Sequence, residues 1–209
     1  MKIFWLFLLL FFIFSAQAQE AKSTFAYSGF SGGMLLHSGY VQSENYTLKN
    51  ADATATKTMK HSGLPSGIGG AARLHFGKHL RVGAEGYVSE YHYENQSYVS
   101  TGWGGVLADC ALESGRLTYF VGGTFGGGSQ KNLTVFEAPT DGYDGFVIDD
   151  KMSFRKFSFL CIAPFVGAEF ALNKKIHLVL KADYLINISN PQPDFVTGVR
   201  VYLGFSFCR

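Results

Sequence analysis

The sequence predicts an all-β chain, an eight-stranded antiparallel up-and-down barrel that crosses a membrane. Three observations carry this. Eight segments alternate apolar residues with polar residues or glycine, the two-residue period of a half-buried strand. Their connections alternate strictly between short and longer. After the N-terminal leader no stretch approaches the ~20 apolar residues of a membrane helix.

The leader comes first in the chain. Lys2 supplies a positive n-region, and Ile3 to Phe14 is an unbroken apolar run, too short to span a bilayer comfortably. Ser15-Ala16-Gln17-Ala18 then places small residues where a signal peptidase reads them. Residues 1–18 are therefore expected to be a signal peptide, leaving 19–209 as one barrel domain.

Strands are predicted at 28–41, 64–77, 79–93, 97–112, 116–129, 153–171, 175–188 and 195–207. Tight turns fall at 77–79, 113–115 and 172–174. The connections at 42–63, 94–96, 130–152 and 189–194 are rich in Asn, Asp, Ser, Thr, Gly and Pro, the residues of loops. In membrane barrels short turns face the periplasm and longer loops face outside. Pro164, inside the sixth strand, conflicts with a closed ladder and predicts a bulge or bend.

Composition removes other classes. With 25 Gly, 20 Phe and 11 Tyr against 16% charged residues, the chain does not resemble a disordered secreted protein. A net charge of +2 without a Lys/Arg stripe argues against nucleic acid as a partner. Cys110, Cys161 and Cys208 are scattered and odd in number, which fits neither a disulfide scaffold nor a metal site. They read as small apolar strand residues, and no cofactor is expected. Gly126-Gly127-Gly128 is no phosphate loop, because no Lys-Ser/Thr follows and no helix opens from it.

Alternation also assigns facing. In the third strand Leu80, Val82, Ala84 and Val88 share one face, and Arg81, Gly83, Glu85, Tyr87 and Ser89 share the other. A soluble sandwich would bury the apolar face against a second sheet, whereas a barrel in lipid turns it outward. Two features favour lipid. The outward aromatics Phe76, Tyr119, Phe170, Phe205 and Phe207 fall beside the short turns, where a girdle belongs. The strands are also expected to run about 13 residues or more, longer than soluble strands.

On strand rhythm over the whole mature chain, and on the closing segment Val199-Arg-Val-Tyr-Leu-Gly-Phe-Ser-Phe207, the sequence resembles the small eight-stranded outer-membrane barrels of Gram-negative bacteria, the outer-membrane protein X or A type. The resemblance implies residence in the outer membrane, contact with its lipids, and recognition of the C-terminal strand by the barrel-assembly machinery. Cys208 and Arg209, placed after the last Phe, depart from that pattern.

Eight strands leave room for side chains but not for an aqueous channel. The inward inventory is Arg73, Arg81, Lys181 and Arg200 against Glu85, Asp109, Glu169 and Asp183, a balance that predicts a paired structural network. Trp103, Phe159, Tyr87 and Tyr202 add bulk, and inward glycines such as Gly33, Gly69 and Gly83 make room for long side chains. A Ser-His-acid group could be assembled from His37, His61, His75, His79, His92 and His177 with Ser38, Ser89 and Glu90, but the sequence does not show that they converge. The expected role is non-enzymatic, with no catalytic or metal site: an envelope barrel, or one that meets outside partners through its loops. The alternatives are a narrow or gated pore and, further off, a lipid-modifying enzyme. The loop from Asn45 to Lys60 and the acidic, aromatic loop from Lys131 to Asp150 offer surface to partners.

Overall fold

The computed structural model describes residues 26–49, 56–93, 97–135, 152–189 and 192–209. Residues 1–18, expected to be a signal peptide, and the acidic, aromatic segment 136–150 lie outside the described residues. Eight strands form the wall: β1 (Tyr27–Gln42), β2 (Ser66–Phe76), β3 (Leu80–His92), β4 (Tyr98–Ser114), β5 (Leu117–Val135), β6 (Met152–Ala171), β7 (Ile176–Tyr184, resuming at Ile186–Asn187) and β8 (Thr197–Cys208). Each pairs antiparallel with its neighbours in sequence, and β8 pairs with both β7 and β1, which closes the barrel. Arg209 extends the seam, exchanging backbone hydrogen bonds with Phe30. A small hairpin, Tyr46–Lys49 with Thr56–Met59, and the bridge Ser62–Gly63 stand in the first long connection.

The short connections have the chemistry that tight turns require. Gly77 and Gly115 take φ of 60° and 65°, a left-handed conformation costly for other residues. At the third turn Asn173 Oδ1 accepts from the amides of Lys175 and Ile176, which folds the chain back without glycine.

Three expectations are corrected. Pro164 causes no bulge: it pairs in register with Gly123, and the β6–β7 register is the same above and below it. Instead the β6–β7 ladder is interrupted opposite it, at Tyr184 and Leu185, because proline has no N–H to donate on that side. Strand length also varies more than expected. β2, β7 and β8 have 11, 9 and 12 residues, whereas β5 and β6 have 19 and 20. Finally, β5 does not stop at Ser129 but pairs with β6 up to Val135, so this wall stands taller than the seam.

Facing follows the alternation. Met34, Leu36, Val106, Val121 and Leu203 are among the outward apolar residues, and each is more than half exposed. On β5 the outward apolar or bare positions run from Leu117 to Gly127, and on β6 from Phe170 to Leu160. At ~3.3 Å per residue and ~40° tilt, such a run spans about 25 Å, the height of the apolar band of a membrane barrel. A closed ladder with an apolar exterior satisfies its backbone without water, as lipid requires.

Inward glycines do more than clear space. A Cβ on Gly83 would lie 1.8 Å from the carbonyl oxygen of Ala72 on β2, so at this point the constraint is backbone-to-backbone approach. At Gly102 a Cβ meets nothing nearer than a Val88 methyl at 3.9 Å. Gly83→Val should therefore abolish the folded form that migrates differently without boiling in detergent gels, while Gly102→Ala should leave it intact. Equal folding of both variants would show that the strands do not approach this closely.

Candidate functional site: a filled lumen and a capped mouth

The interior is arranged in storeys. Nearest the short turns, Asp109 on β4 accepts from Arg73 Nε at 2.9 Å and Arg81 Nε at 2.5 Å, and Arg81 Nη1 donates to Glu169 at 2.7 Å. All four side chains are buried. Two cations and two anions close this cluster to neutrality, which buried charges need.

Above it lies an aromatic layer. Phe120 and Phe165 meet edge-to-face with ring centroids 6.0 Å apart. The Arg81 guanidinium lies 4.9 Å from the Phe120 ring on one side, and Lys181 Nζ lies 4.5 Å from the Phe165 ring on the other. The two rings thus face a cation from each storey.

The second cluster is also neutral. Lys181 Nζ donates to both oxygens of Glu85 at 2.8 and 2.6 Å, and Glu85 also accepts from Thr124 at 2.6 Å. Arg200 Nε and the Tyr202 hydroxyl each donate to Asp183 at 2.8 Å, and Lys181 lies 3.9 Å from the same carboxylate. Tyr87, Tyr202 and Trp103 wall this storey, with Arg200 4.8 Å from the Trp103 ring. All eight charged residues of the inward inventory are in the lumen, but Arg81 and Glu85 belong to different clusters and are not partners.

The loop end is closed by residues that the sequence did not mark. Residues 194–196, expected to be loop and strand, turn into the mouth: Asp194, Phe195 and Val196 are all buried. Asn132 Nδ2 donates to the Asp194 carboxylate at 2.7 Å, Gln130 Nε2 donates to its backbone carbonyl at 2.7 Å, and Arg155 lies 3.5 Å away. Phe195 meets Phe159 edge-to-face at 4.9 Å. The available signal was the adjacent apolar pair Phe195-Val196 after Pro193, a break in the two-residue period. Between this plug and the second cluster, Ser89, Tyr91, Thr101 and Arg200 line a cavity of about 10 Å³, room for about one water molecule.

A lid covers the same end. Ser43 and His61 are joined twice, the Ser43 amide donating to the His61 carbonyl and the His61 amide to Ser43 Oγ, both at 2.8 Å. The buried His61 ring is hydrogen-bonded to the Tyr46 hydroxyl and packs 4.7 Å from Tyr93. Burial lowers its pKa to about 4, against a smaller upward pull from Asp194.

The remaining histidines do not assemble a Ser-His-acid relay among the described residues. Ser38 is exposed on the outer face while His37 is buried between Tyr202 and Tyr87, and Ser89 is buried with no hydrogen bond to a histidine. His92 meets Glu90 at 3.3 Å in the open. His75 Nε2 is 2.8 Å from Ser31 Oγ, but Ser31 is buried, and the nearby Asp109 and Glu169 carboxylates are held by arginines. His177 Nδ1 meets Glu169 at 3.5 Å and Cys208 Sγ at 3.6 Å, so one ring nitrogen faces both and cannot pass a proton across the ring. No group of three or more His, Cys, Asp or Glu among the described residues could hold a metal ion.

No protein-family model matches the chain, and no curated protein matches it in sequence. Solved structures do. Ail, the attachment invasion locus protein of Yersinia pestis, in complex with the heparin analogue sucrose octasulfate, is similar at a TM-score of 0.52 and 13% identity, over 87% of this chain and 99% of that one. Neisserial surface protein A is similar at 0.52 and 12% identity, covering 88% and 97%. The outer membrane protein OprG of Pseudomonas aeruginosa gives 0.51 and 10%, covering 89% and 98%. The likeness is one of fold. The chain has the closed eight-stranded fold of the small outer-membrane barrels.

Two predictions come from these storeys. Glu85→Leu alone strands Lys181 and should destabilise by about 3–5 kcal/mol, whereas Glu85→Leu with Lys181→Met should cost much less. Arg81 and Glu85, lying in separate clusters, should couple by no more than about 0.5 kcal/mol in a double-mutant cycle measured by urea unfolding. Strong Arg81–Glu85 coupling would contradict the division. The second concerns acid. An opened lid takes up a proton at His61 below its ordinary pKa of 6.5, while the closed lid refuses it down to about 4. Lid stability should therefore fall as pH drops through that window and level off below it. Hydrogen-exchange protection of the Ser43 and His61 amides should fall accordingly, and His61→Phe should remove the dependence. Protection that is flat with pH would refute it.

Proposed function

We propose that this chain is a non-enzymatic integral barrel of the bacterial outer membrane, whose filled interior stiffens a wall that presents its loop end to the surroundings. The observation that carries this is the lumen. Two neutral ion clusters, an aromatic layer and the Asp194 plug succeed one another, and the cavity between plug and second cluster has room for about one water molecule. A conducting pore needs a continuous wet path, and paired buried charges oppose one. The eight lumen charges serve in this reading as structural groups, not as an ion path.

Membership of the outer membrane is supported by the apolar girdle about 25 Å tall and by the fold shared with solved outer-membrane barrels. The barrel-assembly machinery would engage the C-terminal strand, whose Cys208 and Arg209 stay in the seam opposite Ser31 and Phe30. Partners outside the cell would meet the loop end, where β5 and β6 stand tallest.

Planar-bilayer recording of the refolded chain should give no reproducible conductance steps. Deleting 138–149 should leave folding intact while removing loop-dependent binding; the cut must start beyond Val135, since residues 133–135 belong to the β5–β6 ladder. Stable steps that survive the deletion and change with Arg73 or Arg200 substitution would make the protein a small channel.

A further inference from the structure

We infer that the outer wall carries a docking site for a lipid phosphate, formed by Lys131 on β5 and Lys156 on β6. The inference rests on the outer-membrane reading for which leaflet the site meets. The two lysines are direct register partners, and both are exposed on the outward face. Partners across an antiparallel ladder have Cα atoms ~4.5–5.5 Å apart, and like charges placed directly opposite repel. Neither lysine has an ion-pair partner among the described residues. Their register neighbours on the outer face supply no carboxylate. Ser100 pairs with Lys131 from β4, and the Ser129–Ser158 pair lies one row below. Glu90 lies opposite Ser100, two strands away from Lys131, and contacts His92 at 3.3 Å rather than either lysine. A repulsive pair left without a counter-charge calls for an anion.

Depth selects the anion. The apolar run from Leu117 to Gly127 ends one row below Ser129, so at a height of about 25 Å the serines and lysines fall at the headgroup level of the outer leaflet. Above the lysines the wall is apolar again, at Tyr98, Leu133 and Phe154, with Phe154 well exposed. The lysine pair and the serine row beneath it are therefore framed by apolar rows above and below. That setting suits an anion held in the membrane interface better than one arriving from bulk water. Two ammonium groups and two hydroxyls can donate to the several oxygens of one phosphate, in charge-assisted hydrogen bonds. Gly102 beside the serines, and Gly104 and Gly127 one row below them, leave bare backbone against which an acyl chain of the same lipid can lie. The occupant is thus a phosphorylated lipid of the outer leaflet.

The test uses the folded chain in phosphatidylcholine nanodiscs containing either bis-phosphorylated lipid A or the same glycolipid stripped of its phosphates. Thermal unfolding and the amount of glycolipid retained on purification are read together. The phosphorylated lipid should raise the unfolding temperature and be retained, and K131Q/K156Q should abolish the rise and lower retention about tenfold. K174Q/K175Q, at the opposite end of the barrel, should change neither. An equal rise with the stripped lipid, or a rise kept in K131Q/K156Q, would overturn the inference. So would an equal rise from inorganic phosphate in plain phosphatidylcholine discs, which would assign the lysines to a soluble anion. Failure of the wild-type chain to insert into any disc would instead overturn the barrel reading itself.

Discussion

Closure in lipid is the constraint on which everything else depends. A sheet that turns an apolar face outward into a bilayer must close, because an open edge would leave backbone groups without partners where no water can reach them. Closure with eight strands then fixes an interior just wide enough for side chains. The polar half of each strand has nowhere else to go, so the charges in the lumen must neutralise one another there.

The chain meets that demand by division. Rather than one network of eight charges, it builds two neutral groups, Arg73, Arg81, Asp109 and Glu169 below and Glu85, Lys181, Asp183 and Arg200 above. Phe120 and Phe165 stand between them, and each ring has a cation of the adjacent storey near its face. Asn132, Gln130 and Arg155 then fasten Asp194 in the mouth, and His61 with Tyr46 covers it. A mouth closed by hydrogen-bonded loop residues can reopen at far lower cost than a ladder. Any conformational response is therefore concentrated at the loop end.

Asymmetry of the wall has a counterpart outside. β5 and β6 rise past the apolar band while the β6–β7 ladder ends at Asn187 and β8 starts only at Thr197, because residues 194–196 are drawn inward rather than continuing upward. The taller sector carries Lys131 and Lys156 at headgroup level. Inside and outside follow the same rule: a charge within reach of low dielectric is stable only with a counter-charge. The lumen supplies its own, and the outer wall must find one in its surroundings.

Strand number, facing and the identity of the lumen charges could be read from the sequence, because a strand in a barrel has a strict two-residue period and two very different solvents on its faces. Leu80 to Ser89 needs no structure to be sorted into outward and inward. Partnership was not legible. Arg81 and Glu85 share a face and stand four residues apart, yet Arg81 reaches β4 and β6 while Glu85 reaches β7. The inward turn of 194–196 and the burial of His61 were equally hidden, and Pro164 signalled a disturbed ladder without showing that the disturbance is a gap in register rather than a bulge. Alternation is a property of one strand and survives in one dimension. Which charges meet, where a loop enters the mouth and which side of a ladder lacks a donor depend on the registers of several strands at once. Those registers are settled only when the barrel closes.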